Sequence, residues 1–307
     1  MRLHLVSLSF ATLLLSLTSP LLPSTLSLSP LVAQAQTNQD RKAIGDRLFR
    51  EGEYLNAGHS YAAAIRKFQE ALSIYQEIGD KTGIGETLYY IGYVYYNQKE
   101  YEQALDYFQQ ALPIRREVGD GDGELVTLNM MGRSYGKQGR ELVERSQYRE
   151  ALEKFQQVLV INRKLGQKEA EGLTLNQIGV AYTSLGEYEL ALDFYQQALA
   201  IPTAYLTEVR AAMLSNTGRL YEALGQYELA LNFYNKSLKI ARIPSLSISG
   251  QSWDIGGEVR NLNAIASNHS RLGNYELALK FYQEALAILK TIDDKTDKKT
   301  GSMSLLQ

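Results

Sequence analysis

The chain has no cysteine, a single tryptophan and three histidines in 307 residues. Without cysteine there is no disulfide, no thiolate metal site, no cysteine nucleophile and no residue to carry a lipoprotein anchor. Three histidines, one of them His4, are too few for the usual metal or acid–base clusters. Charge of one sign is also missing: 32 Lys and Arg stand against 34 Asp and Glu, for a net charge of −2. A nucleic-acid partner, which normally calls for a strongly basic face, is therefore not expected. What the chain does have is tyrosine, 21 of them against 8 phenylalanines. Such rings suit narrow seams where the body packs and the hydroxyl reaches water.

Acidic residues are absent before Asp40. The first 35 residues combine one early positive charge (Arg2), an apolar Leu/Ser-rich run from Leu3 to Leu17 and the small-residue end Ala33-Gln34-Ala35. This is the pattern of a secretory signal peptide, with cleavage expected after Ala35 and the protein exported to the periplasm or beyond. Pro20, Pro23 and Pro30 interrupt the apolar run before it reaches the roughly 20 residues of a spanning helix, so no stable membrane span is expected.

The remainder repeats itself. LGEYELALDFYQQALAI, from Leu185, returns as LGQYELALNFYNKSLKI from Leu224 and LGNYELALKFYQEALAI from Leu272, with looser copies from Gly58, Gln98 and Arg145. Their shared tyrosines are Tyr61, Tyr101, Tyr148, Tyr188, Tyr227 and Tyr275, separated by 40, 47, 40, 39 and 48 residues. A base period near 40 with two insertions is the signature of a solenoid. Inside one phrase, Tyr188, Ala191, Leu192, Tyr195, Ala198 and Leu199 fall on one helical face, and a second periodic segment such as TLYYIGYVYYNQ (87–98) precedes each phrase. Each unit is thus a helical hairpin, with units expected at about 45–80, 85–120, 125–168, 172–205, 211–242 and 259–290.

Small residues recur in the first helix (Gly52, Gly92, Gly132, Gly179, Gly218, Ala266) and aromatics in the second (Phe68, Phe108, Phe155, Tyr195, Tyr234, Tyr282), a pairing that lets two helix backbones approach closely. With Ala64, Ala104, Ala151, Ala191, Ala230 and Ala278 between them, the pattern resembles the tetratricopeptide repeat family and its large bacterial arrays. The resemblance implies an all-α, right-handed superhelix of six hairpins. The family's usual closing proline is replaced by Gly-Asp turns at Gly79-Asp80 and Gly119-Asp120, where glycine stops a helix in a left-handed cap. About seven extra residues, Arg140 to Gln147, are expected to lengthen the first helix of the third unit. Residues 243–257, with the lone Trp253, read as a loop between units, and 291–307 as a polar tail that frays.

Two short stretches mimic chemistry. GHSYA (58–62) resembles a serine-hydrolase elbow but lacks the closing glycine and the preceding strand. GDGDGE (119–124) offers too few ligands for a calcium loop and sits where one helix stops and another starts. No catalytic, cofactor or metal residue is expected. His269 stands where other units have tyrosine, so it reads as a seam residue.

The resemblance further implies that first helices line a concave groove. Transferred residue by residue, the inward set is Tyr89, Tyr93, Tyr96 and Asn97, then Asn129, Arg133 and Lys137, then Asn176, Arg219, Arg260, Asn263 and Arg271. The corresponding Glu53, Val180 and Ser267 fail to reproduce the family's clamp for C-terminal carboxylates. An aromatic, amide-rich and basic groove suits an extended, acidic segment of a protein partner, with Asn for its backbone and Arg for its carboxylates. The chain therefore reads as a non-catalytic interaction scaffold. The alternative is a structural or assembly factor of a cell-envelope complex that self-associates or acts through the ends of the solenoid.

Overall fold

The structure, a computed structural model, describes residues 30–202, 207–242 and 255–303. The leader up to residue 29 and most of the inter-unit loop, Trp253 included, lie outside the described residues.

Among the described residues there are twelve helices in six antiparallel pairs: α1 (Pro30–Ala57) with α2 (Tyr61–Ile78), α3 (Lys81–Asn97) with α4 (Tyr101–Glu117), α5 (Gly121–Glu144) with α6 (Tyr148–Lys164), α7 (Lys168–Leu185) with α8 (Tyr188–Ala200), α9 (Thr207–Ala223) with α10 (Tyr227–Ala241), and α11 (Ile255–Arg271) with α12 (Tyr275–Met303). Each second helix packs on the first helix of the following pair, and first helices also touch from pair to pair. The result is an all-α solenoid with the first helices side by side along one face. The cleavage position expected after Ala35 falls inside α1.

Local chemistry sets the helix ends. The turn inside each hairpin carries one left-handed residue: His59, Lys99 and Ser146 in the first three, Gly186, Gly225 and Gly273 in the last three. Between units, Asp80 and Asp120 cap α3 and α5, each accepting a hydrogen bond from a backbone N–H, at Gly83 (3.0 Å) and Gly123 (2.9 Å). These caps start α3 and α5 ahead of the expected unit starts at 85 and 125. The calcium-like GDGDGE is accounted for in the same way: Asp120 is a cap, and Glu124 pairs with Arg116 and Lys164. In GHSYA, His59 Nδ1 lies 2.8 Å from the Tyr61 hydroxyl, and Ser60 precedes α2.

The packing spine is a glycine against an aromatic ring. A Cβ on Gly52, Gly92 or Gly179 would lie 2.7, 2.8 or 2.6 Å from the ring of Phe68, Phe108 or Tyr195. In the third unit the sequence expectation needs correction: the glycine against Phe155 is Gly139 (2.6 Å), while Gly132 faces Ile161 at 3.3 Å. The insertion explains the shift. It lengthens α5 to 24 residues against 17 for α3, as expected, and seven residues are nearly two helical turns. The glycine needed opposite α6 therefore reappears two turns later on the same face.

A second correction concerns the end of the chain. The segment expected to fray from 291 continues α12 as far as Met303, since no glycine or proline interrupts it before Gly301. Residues 255–257, read as loop, are the first turn of α11.

Candidate functional site

The inner face of α3 and α5 is built on a buried support. Arg115, on α4, is 6% exposed and donates to the Gly123 carbonyl (2.8 Å) and the Thr127 hydroxyl (3.3 Å). Its guanidinium lies 4.6 Å from the centre of the Tyr89 ring and holds that ring from the buried side. Tyr89 stacks on Tyr93 (6.3 Å, 14°) one turn further along α3, so the two rings form a continuous aromatic wall.

That wall closes one side of a hollow of about 640 Å³ between α3, α5 and the α6–α7 turn. Leu125, Val126, Asn129, Met130 and Arg133 of α5 line it from one helix, and Leu165 and Gln167 from the α6–α7 turn. Leu125 and Val126 are 53% and 46% exposed, unusual for branched apolar side chains. A second hollow of about 310 Å³ adjoins it further along α5 and shares Asn129, Arg133 and Gln167. It brings Arg133, Lys137 and Arg140 together with Tyr96 and the amide of Asn162. Arg133 sits 5.4 Å over the Tyr96 ring, which orients the guanidinium and leaves its charge unneutralised. Among the described residues no Asp or Glu lines either hollow.

Burial raises the Tyr89 hydroxyl above its ordinary range, against the opposing pull of Arg115. Burial and then the Glu53 carboxylate push the neighbouring Tyr90 up to about 12. Both phenols thus stay neutral donors at physiological pH, and among the described residues Arg133 is the one charged side chain that lines the apolar hollow.

The structure gathers half of the expected groove residues. Tyr89, Tyr93, Tyr96, Asn129, Arg133 and Lys137 line the two hollows. Asn97 lies aside, donating to the Asn56 side chain at 3.3 Å. Asn176 is 6% exposed and accepts from Asn216 (3.1 Å), so it joins first helices to each other. Arg219 is exposed beside the same Asn216, while Arg260 and Asn263 are exposed on α11. Arg271 approaches Glu222 (3.9 Å) and lies over Tyr227 (5.5 Å). His269 stacks on Phe281 at 5.7 Å and 3°, as Tyr182 does on Phe194 and Tyr221 on Phe233, which places it in the seam.

Sequence reasoning missed Leu125, Val126 and Arg140. Leu125 directly precedes the inward positions of its unit, whereas Val126 occupies the first of them, seven residues before Arg133, and was left out of the set. Arg140 belongs to the insertion, yet the spacing of Arg133, Lys137 and Arg140 along one helical face was available to find it.

Comparison with known proteins agrees with this geometry. One tetratricopeptide repeat model matches residues 48–117, 83–153 and 142–204, and two others of the same description match 211–244 and 262–292. Among solved structures, BtubC from P. vanneervenii aligns with a TM-score of 0.53 at 16% identity, over 83% of this chain and 92% of that one. A signal-transduction ATPase from Pyrococcus horikoshii with a tetratricopeptide repeat sensor aligns with a TM-score of 0.53 at 21% identity, over 86% of this chain and 38% of that one. These likenesses speak to the fold alone. No curated protein matches the chain by sequence.

Proposed function

This chain belongs to the tetratricopeptide repeat family, and we propose that it is a non-catalytic scaffold holding an extended, acidic segment of a protein partner against α3, α5 and α7. The observation that carries this reading is the adjacency of two unlike hollows, one apolar and aromatic, the other cationic, with Asn129, Arg133 and Gln167 between them. An apolar side chain of the partner fits against Tyr89, Tyr93 and Val126. A carboxylate one or two residues along reaches Arg133, Lys137 and Arg140, and the amides of Asn129 and Gln167 serve the backbone in between. Aromatic and arginine side chains in a partly desolvated concavity are the groups that interfaces favour.

The leader supports export, with the mature chain beginning at Gln36 and the scaffold working in the periplasm or outside the cell. Among the described residues no helix is long and apolar enough to cross a membrane. N-terminal sequencing of the protein recovered from envelope and extracellular fractions checks this, and a chain that retains Met1 in the cytoplasm contradicts it.

The groove is tested by capturing partners from the envelope fraction on the wild-type protein and on Arg133→Glu/Lys137→Glu. A charge-assisted hydrogen bond contributes about 1.5–3 kcal/mol, so losing even one weakens a partner roughly tenfold or more. Both side chains are exposed, and helicity should be unchanged. A partner retained equally by both proteins would sink the groove assignment.

A further inference from the structure

Among the described residues nothing covers the outer face of α12. In the earlier units the same face of the second helix is covered by the next unit: Leu105, Leu152 and Leu231 are 5–9% exposed, and Phe108, Phe155 and Tyr234 are 0–2% exposed. On α12 the residues in these places, Leu279 and Tyr282, are 58% and 44% exposed, and Tyr275, Leu286 and Leu289 are 71%, 51% and 44% exposed. The opposite end of the solenoid is different. The first-helix face that meets a preceding unit is Thr87, Ile91 and Val94 on α3, all fully buried, whereas on α1 it is Arg47, Glu51 and Tyr54. Glu51 pairs there with Arg47 and Lys67. One end therefore has a polar cap of the kind that keeps repeat arrays soluble, and the other has none.

This asymmetry excludes head-to-tail stacking, because the apolar face of α12 would meet an ion-paired surface. It leaves a self-complementary contact. Tyr275, Leu279, Tyr282, Leu286 and Leu289 alternate four and three residues apart, the spacing of a coiled-coil seam. Along the exposed edge of that seam stand Glu276, Gln283 and Lys290, evenly spaced and centred on Gln283. Along the other edge Ala278 and Ala285 are buried.

From this pattern we infer that a second copy of the chain covers α12, with the two α12 helices antiparallel about a twofold axis at Gln283. In that arrangement Glu276 of each copy meets Lys290 of the other, and the two glutamines meet on the axis. A parallel pair would instead set the edge of Glu276, Gln283 and Lys290 against the partner's opposite edge, where Ala278 and Ala285 are buried in the hairpin, and would leave both charges without an opposite partner. The contact is isologous, so it closes at two copies and builds no filament. Two heptads bury less than the roughly 1,200 Å² of a standard interface, so the dimer should dissociate in about the micromolar range. The dimer does not depend on the groove, which lies on α3, α5 and α7, and Arg133→Glu/Lys137→Glu should dimerise as wild type does.

Sedimentation equilibrium of the full chain should show a monomer–dimer equilibrium, lost in Leu279→Glu/Leu286→Glu with helicity intact. Because the chain has no cysteine, single cysteines report the geometry. Gln283→Cys should oxidise to a covalent dimer, whereas Glu276→Cys should not, since its twofold mate lies about 21 Å away along the helices, far beyond the roughly 7 Å limit of a disulfide. Glu276→Lys should weaken the dimer, and Glu276→Lys/Lys290→Glu should restore it. A wild-type protein that stays monomeric to about a hundred times the expected micromolar constant, equal crosslinking through positions 276 and 283, or association that survives Leu279→Glu/Leu286→Glu would each overturn the inference. The first of these results would leave the bare face to another segment or partner.

Discussion

Phe155 and Tyr282 hold the same place in the repeated phrase, yet Phe155 is 2% exposed and Tyr282 is 44% exposed. Both rings lie on the second helix of a hairpin, preceded by the same alanine, Ala151 or Ala278. Among the described residues α7 covers α6, while no further unit covers α12. In a solenoid, then, the energetic weight of a side chain depends on its neighbouring unit as much as on its own. One phrase supplies core in five units and surface in the sixth.

Matched substitutions in the two helices measure this difference. The largest contrast should come from Phe155→Ala, which costs about 3–5 kcal/mol in a denaturant melt, against Tyr282→Ala, which costs about 1 kcal/mol or less under monomeric conditions. Equal costs would mean that α12 is covered within its own chain. Next are the two glycines of α5. Gly139→Ala forces a methyl against Phe155 and should cost about 1–3 kcal/mol, while Gly132→Ala, with Ile161 able to yield, should be near neutral because alanine favours the helix by up to about 1 kcal/mol. The reverse order would contradict the shifted register. A third pair compares helix starts: Asp120→Ala removes a cap and should cost about 1 kcal/mol. Gln167→Ala, at the matching start of α7 where no side-chain cap bond exists, should change little. The smallest effect has the opposite sign. Lys99 adopts φ +66 in the turn where later units use Gly186 (φ +76), so Lys99→Gly should raise stability by about 1 kcal/mol.

Much of this was legible from the letters. The tyrosine period gave the hairpins, and Gly79 and Gly119 marked their junctions, because a left-handed cap and a packing glycine leave local signatures. Gly132 misled because two glycines seven residues apart share a helical face, and only the contact with Phe155 tells them apart. The groove was half legible. Tyr89 and Arg133 follow from the resemblance to the repeat family, but Asn176 is spent on Asn216 and Arg271 on Glu222 and Tyr227, pairings formed between units that no single repeat encodes. Leu125 and Val126 look like ordinary core residues until the absence of a neighbour above them is seen.

The proposed function is that apolar and cationic hollows side by side on α3, α5 and α7 read an extended acidic segment. Selection from a random-peptide library, with affinities then measured for the winners, tests it most directly. The wild-type protein should enrich peptides with a carboxylate beside an apolar side chain, Leu279→Glu/Leu286→Glu should select the same peptides, and Arg133→Glu/Lys137→Glu should bind them at least about tenfold more weakly. Unchanged affinity in the groove variant, or enrichment without acidic residues, would mean that the hollows do not read such a segment.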